Sequence, residues 1–239
     1  MQTLHKSPTN PANPGARPAH DPSIILPEIL PPEASTDAPH AGAAVKAPLG
    51  VILAGGQATR MGGGDKGLLP LGGGTILSHV IARLAPQVAD IALNANGDPA
   101  RFAHLQLPVI PDSIAGSAGP LSGVLAGLDW AATQGATHIV TAAADTPFFP
   151  CDLVPQLLLA AEKAGTDIAL ARTPGGRHPT FGLWPTTLRH DLRQALQDGL
   201  RKVVLWTDKH GGATADFPDD AAFFNINTPD DLSKAKAML

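Results

Sequence analysis

From Pro48 onward, short apolar runs alternate with segments whose apolar residues recur at helical spacing. This alternation restricts the fold more than any other feature of the 239-residue chain. Leu49–Leu53 reads as a buried strand running into Ala54-Gly55-Gly56. Thr75 is placed to cap a helix with Ile76, Leu77, Val80, Ile81 and Leu84 on one face, and Pro86 closes it. Residues 91–93, 109–110, 137–144, 167–171, 181–184 and 222–226 are further strand candidates. Residues 121–130 read as a helix, and so does the segment from Asp152 to Gly165, a good C-terminal stop. Thr228-Pro229-Asp230-Asp231 has the chemistry of a helix start, with Thr as N-cap, Pro at the first position and an acid at the third. Repeated strand, helix, strand predicts an α/β protein with a mostly parallel sheet and helices on both faces. In such sheets ligands sit beyond the carboxyl ends of the strands.

The first 48 residues differ in kind: they hold ten of the 24 prolines and little apolar periodicity beyond Ile24-Ile25-Leu26. Such a stretch buries too little apolar surface to offset its ordering entropy. Residues 1–47 are therefore expected to be a flexible Pro-rich tail, and residues 48–239 the folded domain. Seven Phe, three Trp, no Tyr and a formal charge of −4 leave neither stacking platforms nor a basic field for nucleic acid. No apolar run reaches the roughly 18 residues of a membrane span, and Asp21, Glu28 and Glu33 interrupt any targeting pattern. A cytoplasmic protein is expected. The single cysteine, Cys151, excludes an internal disulfide framework and a multi-cysteine zinc site.

Chemistry concentrates where the first strand ends, in Leu53-Ala54-Gly55-Gly56-Gln57-Ala58-Thr59-Arg60-Met61-Gly62-Gly63-Gly64-Asp65-Lys66. Glycines let backbone N–H groups approach phosphate oxygens, and Arg60 and Lys66 add two cations to the same loop. A Walker A loop is excluded, because Lys66 is followed by Gly67 and not by Ser or Thr. Gly62, Gly64 and Gly67 formally match a dinucleotide fingerprint. They lie well past the strand end, however, and the second strand ends in Asn94-Ala95-Asn96 without the expected ribose-binding acid. Asp145 follows an apolar strand, so its carboxylate belongs at the carboxyl edge of the sheet, where it suits Mg²⁺; a turn acid before Pro147 is the plainer alternative. Asn225 and Asn227 alternate along the last strand candidate and so share a face.

The run Leu-Ala-Gly-Gly-x-x-x-Arg-Met-Gly-Gly-x-Asp-Lys, allowing one extra glycine, resembles the signature of the molybdenum cofactor guanylyltransferases, the MobA family. The resemblance continues through Asn94-Ala95-Asn96, Pro111-Asp112-Ser113, Gly119-Pro120-Leu121-Ser122-Gly123, Asp145-Thr146-Pro147, His178-Pro179-Thr180 and Asn225-Ile226-Asn227-Thr228-Pro229. It covers residues 49–239. It implies a three-layer Rossmann-like fold of the glycosyltransferase A-like nucleotidyltransferase type. It also implies GMP transfer from GTP to the terminal phosphate of molybdopterin, with pyrophosphate leaving. On this resemblance Leu53, Ala54 and Gly55 meet guanine and ribose, and Gly56 through Gly62 wrap the phosphates. Arg60 and Lys66 neutralise those phosphates, Asn94 and Asp112 contact the nucleotide, and Asp145 holds the magnesium. Asn225, Asn227 and His178 fall on the molybdopterin side, where Arg177, Arg201 and Lys202 are further candidates for an anion. Gly97 departs from the pattern, since family members often carry Arg there.

Two other readings remain at this stage. One is a cytidylyltransferase acting on molybdopterin or on a sugar or alcohol phosphate. The other is a non-catalytic molybdopterin carrier, which would have no use for Asp145, Arg60 and Lys66 together. Besides the two small molecules, the resemblance suggests molybdoenzymes or molybdopterin-handling proteins as partners.

Overall fold

The computed structural model describes residues 47–55, 65–114, 116 and 119–239. The Pro-rich segment 1–46 and Gly56, Arg60 and Gly62 of the glycine-rich loop lie outside them. Among the described residues the chain runs β1 (Leu49–Leu53), β2 (Pro70–Leu71), β3 (Gly74–Thr75), α1 (Ile76–Leu84), β4 (Ile91–Asn94), β5 (Val109–Ile110), α2 (Pro120–Thr133), β6 (His138–Ala143), α3 (Leu153–Ala164), β7 (Ala169–Thr173), β8 (Gly176–Pro185), α4 (Arg189–Gln197), α5 (Val203–Lys209), β9 (Ala213–Asp216) and α6 (Pro229–Ala237). Seven strands form one sheet in the order β5-β4-β1-β6-β8-β7-β9, and β2 and β3 form a separate antiparallel pair. In the large sheet β8 alone runs against its neighbours, β6 and β7; the other pairings are parallel.

Alternation along the central strands sends side chains to two cores. Ile52, Leu93, Val140 and Ala142 join α1 and α3 through Leu77, Val80, Leu84, Leu153 and Leu157. On the other face Val51, Ile139 and Leu170 meet Leu121, Val124, Leu125 and Leu128 of α2, with Leu192 of α4 and Trp206 of α5. The buried Thr141 is satisfied there by the Trp184 indole N–H at 2.9 Å. A smaller cluster of Leu71, Ile76, Ile226 and Ala235 seats α6 against the β2–β3 pair. The product is the three-layer, mostly parallel α/β architecture expected from the sequence.

Helix ends follow their local chemistry. Thr75 caps α1 through a reciprocal box with Ser78, and Thr228 caps α6 through the same device with Asp231. Gly165 stops α3 at φ 64°. One strand candidate is extended, one is overturned and one strand is new. The segment 181–184 belongs to a longer strand, β8, which is antiparallel to its neighbours. Residues 222–226 form no strand: Asp219 accepts from the Ala221 N–H at 2.8 Å and starts a 3-10 turn, Asp220–Phe223. Phe223 of that turn is buried against Phe181, Phe217 and His178, so side-chain packing satisfies the apolar run in place of a ladder. The last strand is instead β9, whose Ala-Thr-Ala-Asp composition carries little strand signal.

Candidate active site

Parallel β1, β4 and β6 end side by side, with Leu53 paired to Asn94 and to Ala143. The chain beyond each strand therefore converges on one edge. Asp145 leaves β6 two residues past its end and puts its carboxylate Oδ2 2.5 Å from the Lys66 ammonium. Lys66 opens a 3-10 turn, Lys66–Leu68, and also donates to the Asn227 side-chain oxygen at 2.8 Å. Asn227 arrives from the extended stretch before α6, which is fastened when the Ile226 N–H donates to the Asp145 carbonyl at 2.9 Å. Both ends of the Lys66–Asp145 pair are largely covered, with side-chain exposures of 16 % and 21 %. They border a cavity of about 220 Å³ together with Leu53, Ala54, Asp65 and Phe102.

The second half of the edge is built on β4. Asn94, 2 % exposed, donates from Nδ2 to the Asp112 carboxylate at 3.0 Å and to the Ile110 carbonyl at 3.2 Å. Asn96 donates to the other Asp112 oxygen at 2.8 Å and accepts the Asp112 N–H at 2.9 Å. Asp112 thus orients two amides from one carboxylate. Helix α2 presses on this group through Gly123, where a Cβ would fall 2.2 Å from Asn94 Oδ1. The Ala54 N–H donates to the Asn94 carbonyl at 2.9 Å, and Gly55 opens toward the Asn94 amide oxygen. Leu53, Ala54 and Gly55 therefore line one side of the cleft with backbone.

Of the residues singled out in the sequence, Lys66, Asp145 and Asn227 meet, and Leu53, Ala54, Gly55, Asn94 and Asp112 border them. Arg60, Gly56 and Gly62 fall outside the described residues. Asn225 is exposed on the same extended stretch as Asn227 and makes no side-chain hydrogen bond with another described residue. With 222–226 not a strand, the two asparagines share a side of an unpaired segment, flanking the buried Ile226. His178 is engaged elsewhere, stacked on Phe223 with ring centroids 4.2 Å apart and sharing a 2.8 Å hydrogen bond with Thr173. Burial lowers its pKa, which the nearby Asp220 carboxylate partly opposes. Arg177 is paired with Asp208, and Arg201 donates to the Leu196 and Leu200 carbonyls.

The sequence reading passed over Asn96 as a site residue and missed Asp65 and Arg101. Asn96 carried a signal, since it sits in the Asn-Ala-Asn motif. Arg101 carried none beyond its charge. Its guanidinium lies 2.6 Å from Asp65 Oδ2, and donates to the Asn96 carbonyl at 2.5 Å and to the Asp98 carbonyl at 2.7 Å.

A cleft at the carboxyl edge of a mostly parallel sheet, with a lysine clasped by a carboxylate and an amide, defines an α/β protein whose ligand site lies where such sheets bind nucleotides. The MobA-like NTP transferase domain matches residues 50–211. A molybdenum cofactor guanylyltransferase of Mesorhizobium japonicum is 49 % identical over 197 residues, which are 80 % of this chain and 95 % of that protein. One of the same name from Cereibacter sphaeroides is 52 % identical over 190 residues, 80 % of this chain and 96 % of its own. The fold is shared with the molybdopterin-guanine dinucleotide biosynthesis protein A of Archaeoglobus fulgidus, at TM-score 0.61 and 24 % identity over 80 % of this chain and 97 % of the other. It is shared also with a 4-diphosphocytidyl-2C-methyl-D-erythritol synthase of Anaerococcus prevotii, at TM-score 0.63 and 14 % identity, covering 81 % and 96 %. The chain belongs to the MobA-like NTP transferase family.

Proposed function

We propose that this chain is a molybdenum cofactor guanylyltransferase. On this reading it transfers GMP from GTP to the terminal phosphate of molybdopterin, releasing pyrophosphate and forming the molybdopterin guanine dinucleotide. The reading is carried by the Lys66 ammonium held between Asp145 and Asn227 at the sheet edge, in a chain about half identical to relatives named for that activity. A phosphate oxygen of molybdopterin attacks the α-phosphorus of GTP; one P–O bond forms as the bond to pyrophosphate breaks. Both reactants are anions, so the protein's task is charge neutralisation and alignment. Lys66, with Arg60 from the glycine-rich loop, neutralises the phosphates, and Gly56 and Gly62 let backbone N–H groups close on them. Leu53, Ala54 and Gly55 present backbone to guanosine beside Asn94, which Asp112 holds in orientation. Asn225 and Asn227 are assigned to the molybdopterin side, whereas the His178 ring is taken up by Phe223 and Thr173.

The Asp145 carboxylate borders the cavity and is a hard oxygen donor of the kind a divalent ion takes. We assign that ion as Mg²⁺: Asp145 would hold it, and once bound it would supply positive charge beside the phosphates. We further assign residues 48–239 to the transferase domain and the reaction to the cytoplasm, with molybdoenzymes or molybdopterin-handling proteins receiving the product. Among the described residues no helix is long and apolar enough to cross a membrane.

Calorimetric titration of GTP against CTP with Mg²⁺, followed by an assay of pyrophosphate release with molybdopterin, tests the reading. GTP binding and release are expected. Preference for CTP would make the protein a cytidylyltransferase, and tight molybdopterin binding without pyrophosphate would make it a carrier.

A further inference from the structure

We propose that Arg101 is a positioning residue of the nucleotide site: its ion pair with Asp65 ties the Asn96 loop after β4 to the turn that carries Lys66, and so sets where the Lys66 ammonium stands. The inference rests on the role given to Lys66 above and extends it to a residue that never reaches the cavity.

The turn Lys66–Leu68 is three residues long and half-buried; Leu68 packs on the core and Gly67 lies against Leu77, but neither contact orients the Asp65 or Lys66 side chains. An aspartate before a helical turn ordinarily accepts from that turn's amides. Asp65 stands in that place and makes no such bond; its carboxylate goes to Arg101 Nε at 2.6 Å. The other two arms of the guanidinium grip backbone of a different segment, the Asn96 and Asp98 carbonyls. Arg101 is thus a crosslink between two chain segments about thirty residues apart: its planar fork donates to two carbonyls while its charge pairs with the Asp65 carboxylate. Its carbon lies 4.6 Å from the centre of the Phe102 ring, which is itself buried in the cavity wall. Gly97 makes room for it: a Cβ there would sit 3.0 Å from Arg101 Nη1, and the residue is held at φ 86°. The Asn96 carbonyl that Arg101 holds belongs to the residue whose side chain braces Asp112. One guanidinium therefore joins the Asn94–Asn96–Asp112 group to the Lys66–Asp145–Asn227 group.

The test compares Arg101→Ala, Arg101→Lys and Asp65→Asn in the full-length protein. It reads amide hydrogen exchange at Leu68 and Leu69, thermal midpoint, and kcat and KM for GTP. Arg101→Ala is expected to speed exchange at those two amides, whose acceptors are the Asp65 and Lys66 carbonyls, while the sheet amides keep wild-type rates. KM for GTP should rise about tenfold with kcat within about threefold, the scale expected when a charge-neutralising group is misplaced. Asp65→Asn should reproduce the effect and Arg101→Lys recover part of it. Placed on Lys66→Ala, Arg101→Ala should add less than about twofold, because groups acting through one another are not additive. Unchanged exchange at Leu68 and Leu69, or full multiplication of the two effects, would overturn the proposal. Should Arg101→Ala not fold, Asp65→Asn decides by the same readouts. A wild-type protein inactive on GTP would defeat the guanylyl reading alone, and the exchange measurement would still judge Arg101.

Discussion

Asp145 touches two distant chain segments at once: its carboxylate meets Lys66 and its carbonyl takes the Ile226 N–H, while the hydroxyl of the adjoining Thr146 donates to its Oδ1 at 3.3 Å. Only the carboxylate contacts depend on its side chain. Asp145→Ala should therefore cut kcat by at least about a hundredfold, the usual scale for losing one preorganised charge in a transfer site. The backbone bond to Ile226 remains and the melting temperature should stay close to wild type. Asp145→Asn separates shape from charge and should recover little turnover. Steady-state kinetics beside a thermal melt checks both, and near-native turnover in Asp145→Ala would remove it from the site. At this scale the acid and the lysine were legible because Lys66 ends the glycine-rich run and Asp145 opens Asp-Thr-Pro at a strand end. Their contact with Asn227, 161 residues from Lys66, was not, since it exists only once β1, β6 and the segment before α6 are brought to one edge.

Helix α2 shows how an element can be chosen for closeness over stiffness. A mid-helix glycine costs about 1 kcal/mol relative to alanine, yet α2 carries Gly123 and Gly127 on the side facing the sheet. A Cβ at Gly127 would lie 2.7 Å from Val51 Cγ2 and 2.9 Å from Ile139 Cδ1. Gly127→Ala should lose more by overpacking, about 1–3 kcal/mol, than it gains in propensity. A lowered melting temperature is expected, and a raised one would show that α2 can lift from the sheet without strain. Elements with strong local chemistry were readable: α1 and α6 from their capping boxes, β1 and β6 from their apolar runs. The run at 222–226 was misread because apolar residues alone do not distinguish a buried turn from a buried strand. β9 was missed because small residues on an edge strand leave almost no pattern.

Among the described residues, two histidines have pKa values lowered from the ordinary 6.5 because burial disfavours their charged forms: His178 against Phe223, and His138 despite Asp167 beside it. A histidine whose pKa is lowered on folding binds protons more readily when unfolded. Its contribution is full above about pH 6.5 and is lost as pH falls below it. Several carboxylates, Asp191 and Asp231 among them, are held below their usual range by hydrogen bonds, despite the opposing effect of burial. Their contribution survives until the acid falls below the ordinary 3.8. Melting temperature should therefore decline in two stages, first from near neutrality and then in strong acid. His178→Gln should flatten the first stage, and an unaltered profile would show that His178 does not titrate as its burial implies.

The amino-acid order alone determined the layered α/β class, the sheet edge at which such folds bind ligands, and the two motif residues, Asp145 and Lys66, that meet there. Strand periodicity, glycine backbone freedom and capping chemistry are all expressed within a few residues of each other. Tertiary structure decided what lies at long range. It reversed β8, curled residues 222–226 into a turn, paired Lys66 with Asn227 as well as Asp145, and set Arg101 between two loops. Those outcomes depend on which surfaces bury together and which donors find acceptors across the fold, and no local pattern encodes them.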